Sequence, residues 1–141
     1  MELNLKNRAV LVTAGSKGIG LATALGFHVC GAKVAICSRS QDKLDAAAAQ
    51  MPGCLAMVGD VSQSADIERV VDAATEEFGG IDILVNNAGG PPPGLFADLA
   101  DDDWEKAVEL TLMSVVRATR FVLPHMRGQK WGRIINISSS G

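Results

Sequence analysis

The stretch VTAGSKGIG, residues 12–20, has the residue types that could hold a phosphate. A phosphate needs backbone N–H groups aimed at it and no side chain in the way. The first turn of a helix supplies those donors and a favourable dipole. Gly18 and Gly20 let a diphosphate and the preceding strand come close, and Gly15 is placed to take a positive φ in the turn. Ala14 stands where the pattern asks for its first glycine, with Gly15 one place late. The extra methyl is tolerable if φ at Ala14 is negative and obstructive if the turn needs the left-handed region. A glycine pattern alone also suits a tight strand-to-helix turn with no ligand, so its context decides.

That context comes from the elements. Residues 8–13 (RAVLVT) form a short β-branched run, a buried strand. Residues 17–30 read as a helix closed by Gly31, and residues 33–38 as a second strand. Residues 41–51, with their AAAA core, form a helix that Pro52-Gly53 stops. A third strand follows at 54–58. Residues 64–78 are amphipathic, with Ile67, Val70, Val71, Ala74 and Phe78 on one face. Gly79-Gly80 ends that helix, and residues 82–86 make a fourth strand. The loop GGPPPG is held extended by its prolines and is expected beside a substrate mouth. The three aspartates at 101–103 put negative charge at the next helix start. That helix is expected over 104–126, with Trp104, Ala107, Val108, Thr111, Val115, Ala118 and Val122 as one stripe. Residues 132–138 form a fifth strand.

This alternation predicts an α/β fold: a doubly wound parallel sheet of Rossmann type, here its first five strands with flanking helices and right-handed crossovers. Such sheets bind ligands past the carboxyl ends of their strands, where strand order reverses. The glycine loop, Asp60, residues 86–89 and residues 138–141 all fall at those ends.

With 141 residues the chain fits one domain, 1–141. It is 48% hydrophobic and 21% charged, too apolar for a disordered chain. Net charge is -3 and no basic cluster stands out, so no nucleic-acid partner is expected. No apolar run approaches the roughly 20 residues that span a bilayer, and the first ten residues do not read as a signal peptide. Cys30, Cys37 and Cys54 have no CxxC spacing, and Cys30 and Cys37 lie in apolar surroundings typical of buried thiols. A cytoplasmic location without a disulfide framework is expected. His28 and His125 lack partners at metal spacing, so no metal site is expected.

Taken together, the motifs resemble the short-chain dehydrogenase/reductase family. VTAGSKGIG is similar to the family's TGxxxGIG loop, and GDV at 59–61 to its adenine-side Asp. NNAG at 86–89 matches a family motif letter for letter, and GRIINISS matches the strand that carries its catalytic serine. Ala14, Thr111 and the GGPPPG loop depart from the common pattern together, and resemble a divergent subgroup close to β-ketoacyl-carrier-protein reductases. The resemblance implies a cofactor site of Thr13, Gly15, Ser16, Lys17, Gly18, Ile19, Gly20, Ser38, Arg39, Asp60, Val61, Asn87, Ala88 and Gly89. It also implies hydride transfer between a nicotinamide cofactor and an alcohol/carbonyl substrate, and a homo-oligomer paired through the long helix.

The end of the second strand carries Ser38 and Arg39 in place of an acidic residue that would bind a ribose 2′-hydroxyl and repel a 2′-phosphate. With Lys17 aimed at the same region, NADP is expected in preference to NAD.

Reducing a carbonyl requires a proton donor for the developing alkoxide and a group that polarises the oxygen. The resemblance assigns the substrate oxygen to Ser139, with Ser138 and Ser140 as adjacent alternatives. The family's water-relay Asn falls on Thr111, which reads equally well as a core threonine. The family's Tyr and Lys lie roughly a dozen residues past the serine, and this sequence contains no tyrosine. The expectation is therefore the front part of a longer chain, inactive alone. The fifth strand would leave Ile134, Ile135 and Ile137 on an open edge. A nucleotide-holding relative without turnover, and a fragment that pairs through its bare edge, remain the alternatives.

Overall fold

The computed structural model describes residues 3–139. Five strands, β1 (Ala9–Thr13), β2 (Lys33–Ser38), β3 (Leu55–Val58), β4 (Ile83–Asn86) and β5 (Arg133–Asn136), form one parallel sheet in the order β3-β2-β1-β4-β5. The helices are α1 (Gly18–Val29), α2 (Gln41–Ala48), α3 (Ser64–Phe78), α4 (Asp101–Val108) and α5 (Ser114–Gly128). The chain walks outward from β1 to β3, then returns to the other side of β1. Strand order therefore reverses between β1 and β4.

Period-two alternation along each strand divides the interior into two cores. Val10, Val12, Val34, Ile36, Ile83 and Val85 pack with Ala24 of α1, Leu44 and Ala47 of α2, and Met51. Leu11, Ala35, Cys37 and Leu84 point the other way, onto Ile67, Val70 and Val71 of α3 and Ala118, Val122 and Met126 of α5. All five residues of β1 are buried, as a central strand requires.

At the amino ends of the strands, Asp82 ties three elements together. Its carboxylate accepts from the Ala9 N–H (3.0 Å) and Gln129 Nε2 (2.7 Å), and faces His125 Nε2 at 3.1 Å. Burial works against its ionisation, but these bonds and the nearby Arg8 charge outweigh it and hold the carboxyl below the usual range. Gly80, at φ 145°, lies where a Cβ would fall 2.2 Å from the His125 ring, so only glycine fits.

Three sequence expectations change. The last helix starts at Asp101, and residues Glu109–Met113 form a π-helical segment between α4 and α5. A π turn inserts an extra residue and rotates the face, so the expected single stripe breaks. Ser114, Ala118, Val122 and Met126 are buried, whereas Trp104, Val108 and Thr111 are exposed. Thr111 is thus not a core threonine. Cys30 is exposed at the α1 C-cap rather than buried, and all three cysteines are free thiols. Burial pushes the Cys37 and Cys54 thiols up to about 11, so both stay protonated near neutral pH. β5 lies at the sheet edge, with Ile134, Ile135 and Ile137 36–41% exposed.

Candidate functional site

The site begins where strand order reverses. At the end of β1, Thr13 Oγ1 donates to the Asn87 carbonyl (2.6 Å) and accepts from the Asn87 N–H (2.8 Å). One buried hydroxyl thereby fixes the chain leaving β4 against the chain leaving β1. Asn86 Nδ2 continues the row by donating to Asn136 Oδ1 at 2.9 Å, linking β4 to β5.

The turn after Thr13 uses its glycines differently from the sequence expectation. Ala14 itself takes φ 47°, the left-handed case, and Gly15 does not have a positive φ. The turn holds Ala14 through its carbonyl, which accepts from Asn87 Nδ2 at 3.3 Å. Gly15 is required for packing instead: a Cβ there would fall 2.7 Å from Ile36 Cγ2 and 2.9 Å from the Val12 carbonyl oxygen. Its N–H donates to the Cys37 carbonyl at 3.1 Å. A Cβ on Gly20 would lie 2.3 Å from the Ala14 oxygen and 2.7 Å from Asn87 Nδ2. Gly18 takes φ 54°, the one glycine of this loop in the left-handed region. The strained alanine costs about 1–2 kcal/mol, and the surrounding contacts outweigh it.

No side chain caps α1, and no acidic residue lies in its first turn. The first N–H groups of the helix, from Gly18, Ile19 and Gly20, therefore have no intrahelical acceptor. Ser16 is buried beneath them, Lys17 is exposed beside them, and Ile19 is 64% exposed.

Ser16 and Lys17 border a cleft of about 790 Å³ that also receives Ser38, Arg39, Asp60, Val61 and Gly89, whereas Thr13, Gly15, Gly18, Ile19 and Gly20 do not line it. Ser40 and Lys43 enter from the start of α2 and were missed in the sequence reading. The signal was present in SRSQDK: Ser40 Oγ accepts from the Lys43 N–H at 3.5 Å, placing Lys43 in the first turn of α2. Among the described residues, none of the four ion pairs involves Lys17, Arg39 or Lys43. Asp60 Oδ1 is committed to Ser62, accepting from its N–H (2.9 Å) and hydroxyl (2.7 Å). A second hollow of about 610 Å³, at the amino ends of the strands by Cys30 and Asp82, shares none of these groups.

The cleft suits a dinucleotide because of the room it keeps. Gly89 and Gly90 have no positive φ, and a Cβ on either would meet nothing within 4 Å. Neither backbone nor packing calls for glycine there, and both border the cleft. Asn87 and Ala88 precede Gly89 in the chain and do not line the cleft. Thr111 and Ser139 do not line it. Thr111 is exposed in the π-helical segment, its hydroxyl donating to the Ala107 carbonyl at 2.7 Å. Ser138 and Ser139 follow β5, where the Ile137 N–H donates to the Asn86 carbonyl at 2.9 Å. Ser140 and Gly141 lie outside the described residues.

Comparison with known proteins agrees with this geometry. The family model described as short chain dehydrogenase matches residues 8–141. An uncharacterized oxidoreductase of Bacillus subtilis, YvrD, is 38% identical over 99% of this chain and 54% of its own length. L-sorbose reductase from Gluconobacter frateurii, solved with NADPH and L-sorbose, superposes with a TM-score of 0.95 at 34% identity, over 99% of this chain and 55% of that one. A variant of actinorhodin polyketide ketoreductase with NADPH gives 0.90 at 36%, over 96% and 54%. The chain spans about half the length of the curated relatives it matches.

Proposed function

The chain belongs to the short-chain dehydrogenase family, and on that premise we propose that it holds NADP(H) for an oxidoreductase acting on a small-molecule alcohol or carbonyl. The observation that carries this reading is the cleft at the carboxyl ends of the strands, bordered by Ser16 and by Lys17, the residue just before the uncapped start of α1, with Lys17, Arg39 and Lys43 without ion-pair partners among the described residues. The α1 N–H groups and Thr13, Ser16, Gly18, Ile19 and Gly20 hold the diphosphate; Gly15 keeps the turn closed beneath it. Arg39 and Lys17 hold the 2′-phosphate, Arg39 through its planar fork. Ser38 is neutral where an acidic residue would repel that phosphate. Asp60 and Val61 bound the adenine, and Asn87, Ala88 and Gly89 complete the cofactor site. The solved NADPH complexes named above support this assignment.

The nicotinamide supplies the hydride chemistry when bound. Within this chain, Ser139 holds the substrate oxygen and Thr111 holds a water. The proton donor is the family's tyrosine, which this sequence lacks, so we assign turnover to a longer chain and cofactor binding to these 141 residues. Thr111 in place of the family's Asn favours a second reading, a nucleotide-holding relative without turnover. Pairing of copies through α4 and α5, a cytoplasmic location and the absence of nucleic-acid or membrane partners complete the proposal.

Titration of the chain with NADPH and NADH, followed by reduced-nicotinamide fluorescence, tests the cofactor. NADPH is expected to bind at least about tenfold more tightly, the worth of one charge-assisted hydrogen bond. Tighter NADH binding refutes the assignment. NADPH oxidation with small β-keto esters separates the two catalytic readings.

A further inference from the structure

The segment between Asn87 and Leu99 has an unusual construction. Among the described residues, Ala88 to Gly94 make no hydrogen bond. The segment is pinned at its ends instead. Asn87 is tied to Thr13 and Ala14, and Gly94 packs so closely on Leu99 that a Cβ would fall 2.7 Å from Leu99 Cδ2. Between these anchors, Pro91, Pro92 and Pro93 fix φ and restrict the residue before each of them. Proline stiffness, not hydrogen bonding, sets the path. Three prolines also present no N–H, only ring faces and carbonyl oxygens.

All three prolines border the large cleft together with Ser38, Arg39, Ser40 and Lys43, while Thr111 and Ser139 do not line it. The loop expected beside a substrate mouth thus faces the side where strands β2 and β3 end. Gly89 and Gly90, beside which a Cβ would meet nothing within 4 Å, border the same cleft as the prolines and the cations.

We propose that Pro91, Pro92 and Pro93 are a preset wall that packs on the phosphoadenosine end of the cofactor, acting as positioning residues for affinity rather than chemistry. This rests on the cofactor reading above. The cationic wall supplies charge. The proline wall supplies an apolar surface for a sugar or base face, already in its bound conformation. A rigid loop avoids the ordering cost that a flexible one meets on binding.

The test compares the chain with variants carrying glycine at all three positions, or alanine at all three. The probes are NADPH, adenosine 2′,5′-bisphosphate and nicotinamide mononucleotide, each measured by calorimetry, alongside the Tm of the free chain. Losing three preset backbones is expected to weaken NADPH and the bisphosphate by about tenfold, or about 1.4 kcal/mol. The alanine variant falls between the glycine variant and the parent. Nicotinamide mononucleotide binding stays unchanged; the segment makes no hydrogen bonds to lose, so any fall in the free-chain Tm comes from the looser unfolded chain. If the parent binds the bisphosphate and both variants match it within about twofold, the wall is refuted and the cofactor reading stands. Equal weakening of the mononucleotide also refutes it, since the effect would then be general. If the parent binds none of the three probes, the cofactor reading falls and the wall with it.

Discussion

Moving the glycine of the nucleotide loop back to its pattern position should make the protein less stable, not more. Ala14 sits at φ 47° and Gly15 has no positive φ. Changing Ala14→Gly removes about 1–2 kcal/mol of left-handed strain but adds about 0.4–1 kcal/mol of unfolded-chain entropy. The net expectation is a gain of about 0.5–1 kcal/mol. Changing Gly15→Ala drives a methyl to 2.7 Å from Ile36 Cγ2 and 2.9 Å from the Val12 oxygen. Ile36 is fully buried and Val12 lies in the central strand, so neither yields easily. Overpacking of this kind costs about 1–3 kcal/mol. The double variant should therefore be about 1 kcal/mol less stable than the parent, with some coupling because the residues adjoin. Urea denaturation of the parent, both single variants and the double variant measures these differences. Each kcal/mol corresponds to a Tm shift of about 4 °C at this chain length. A Gly15→Ala variant as stable as the parent, or a destabilised Ala14→Gly, would refute the reasoning.

Two further outcomes follow from charge. Arg39→Ala should weaken NADPH binding by about 10–100-fold, the loss of a charged hydrogen-bond pair, and leave NADH nearly unchanged; equal loss of both would show that Arg39 does not read the 2′-phosphate. Asp82 has a folded pKa held below its unfolded value, so its contribution is present above about pH 4 and is lost as pH falls through the folded value. Asp82→Asn should cost about 1–2 kcal/mol at neutral pH, with the gap to the parent closing in acid denaturation curves once pH has fallen through the lowered folded value; a gap that persists into full acid contradicts the account.

Much of this molecule was legible in the sequence because its elements state themselves twice. RAVLVT, KVAICS and IDILVN are apolar runs too short for helices, and each is followed by residues that start or stop a helix. Their alternation implies a doubly wound parallel sheet with a reversal of strand order; the structure places that reversal at β1 and β4, where Thr13 and Asn87 meet. What the sequence hid depends on three-dimensional partners. The apolar stripe from Trp104 to Val122 has regular helical spacing, and nothing in it marks the π turn that rotates Thr111 outward. Lys43 reads as a surface charge until the start of α2 carries it to the rim of the cleft.

The glycine loop shows the limit most sharply. A glycine is chosen for its backbone or for the space around it, and a sequence records both with the same letter. Gly18 is there for its φ, Gly15 and Gly20 for close neighbours, and Gly89 and Gly90 for the open space that they leave. Only the first reason could have been satisfied by a different residue in a left-handed turn, and Ala14 is that residue. A departure from a glycine motif therefore weakens a binding-site reading only where packing or open space demands the glycine. In this loop those positions kept theirs.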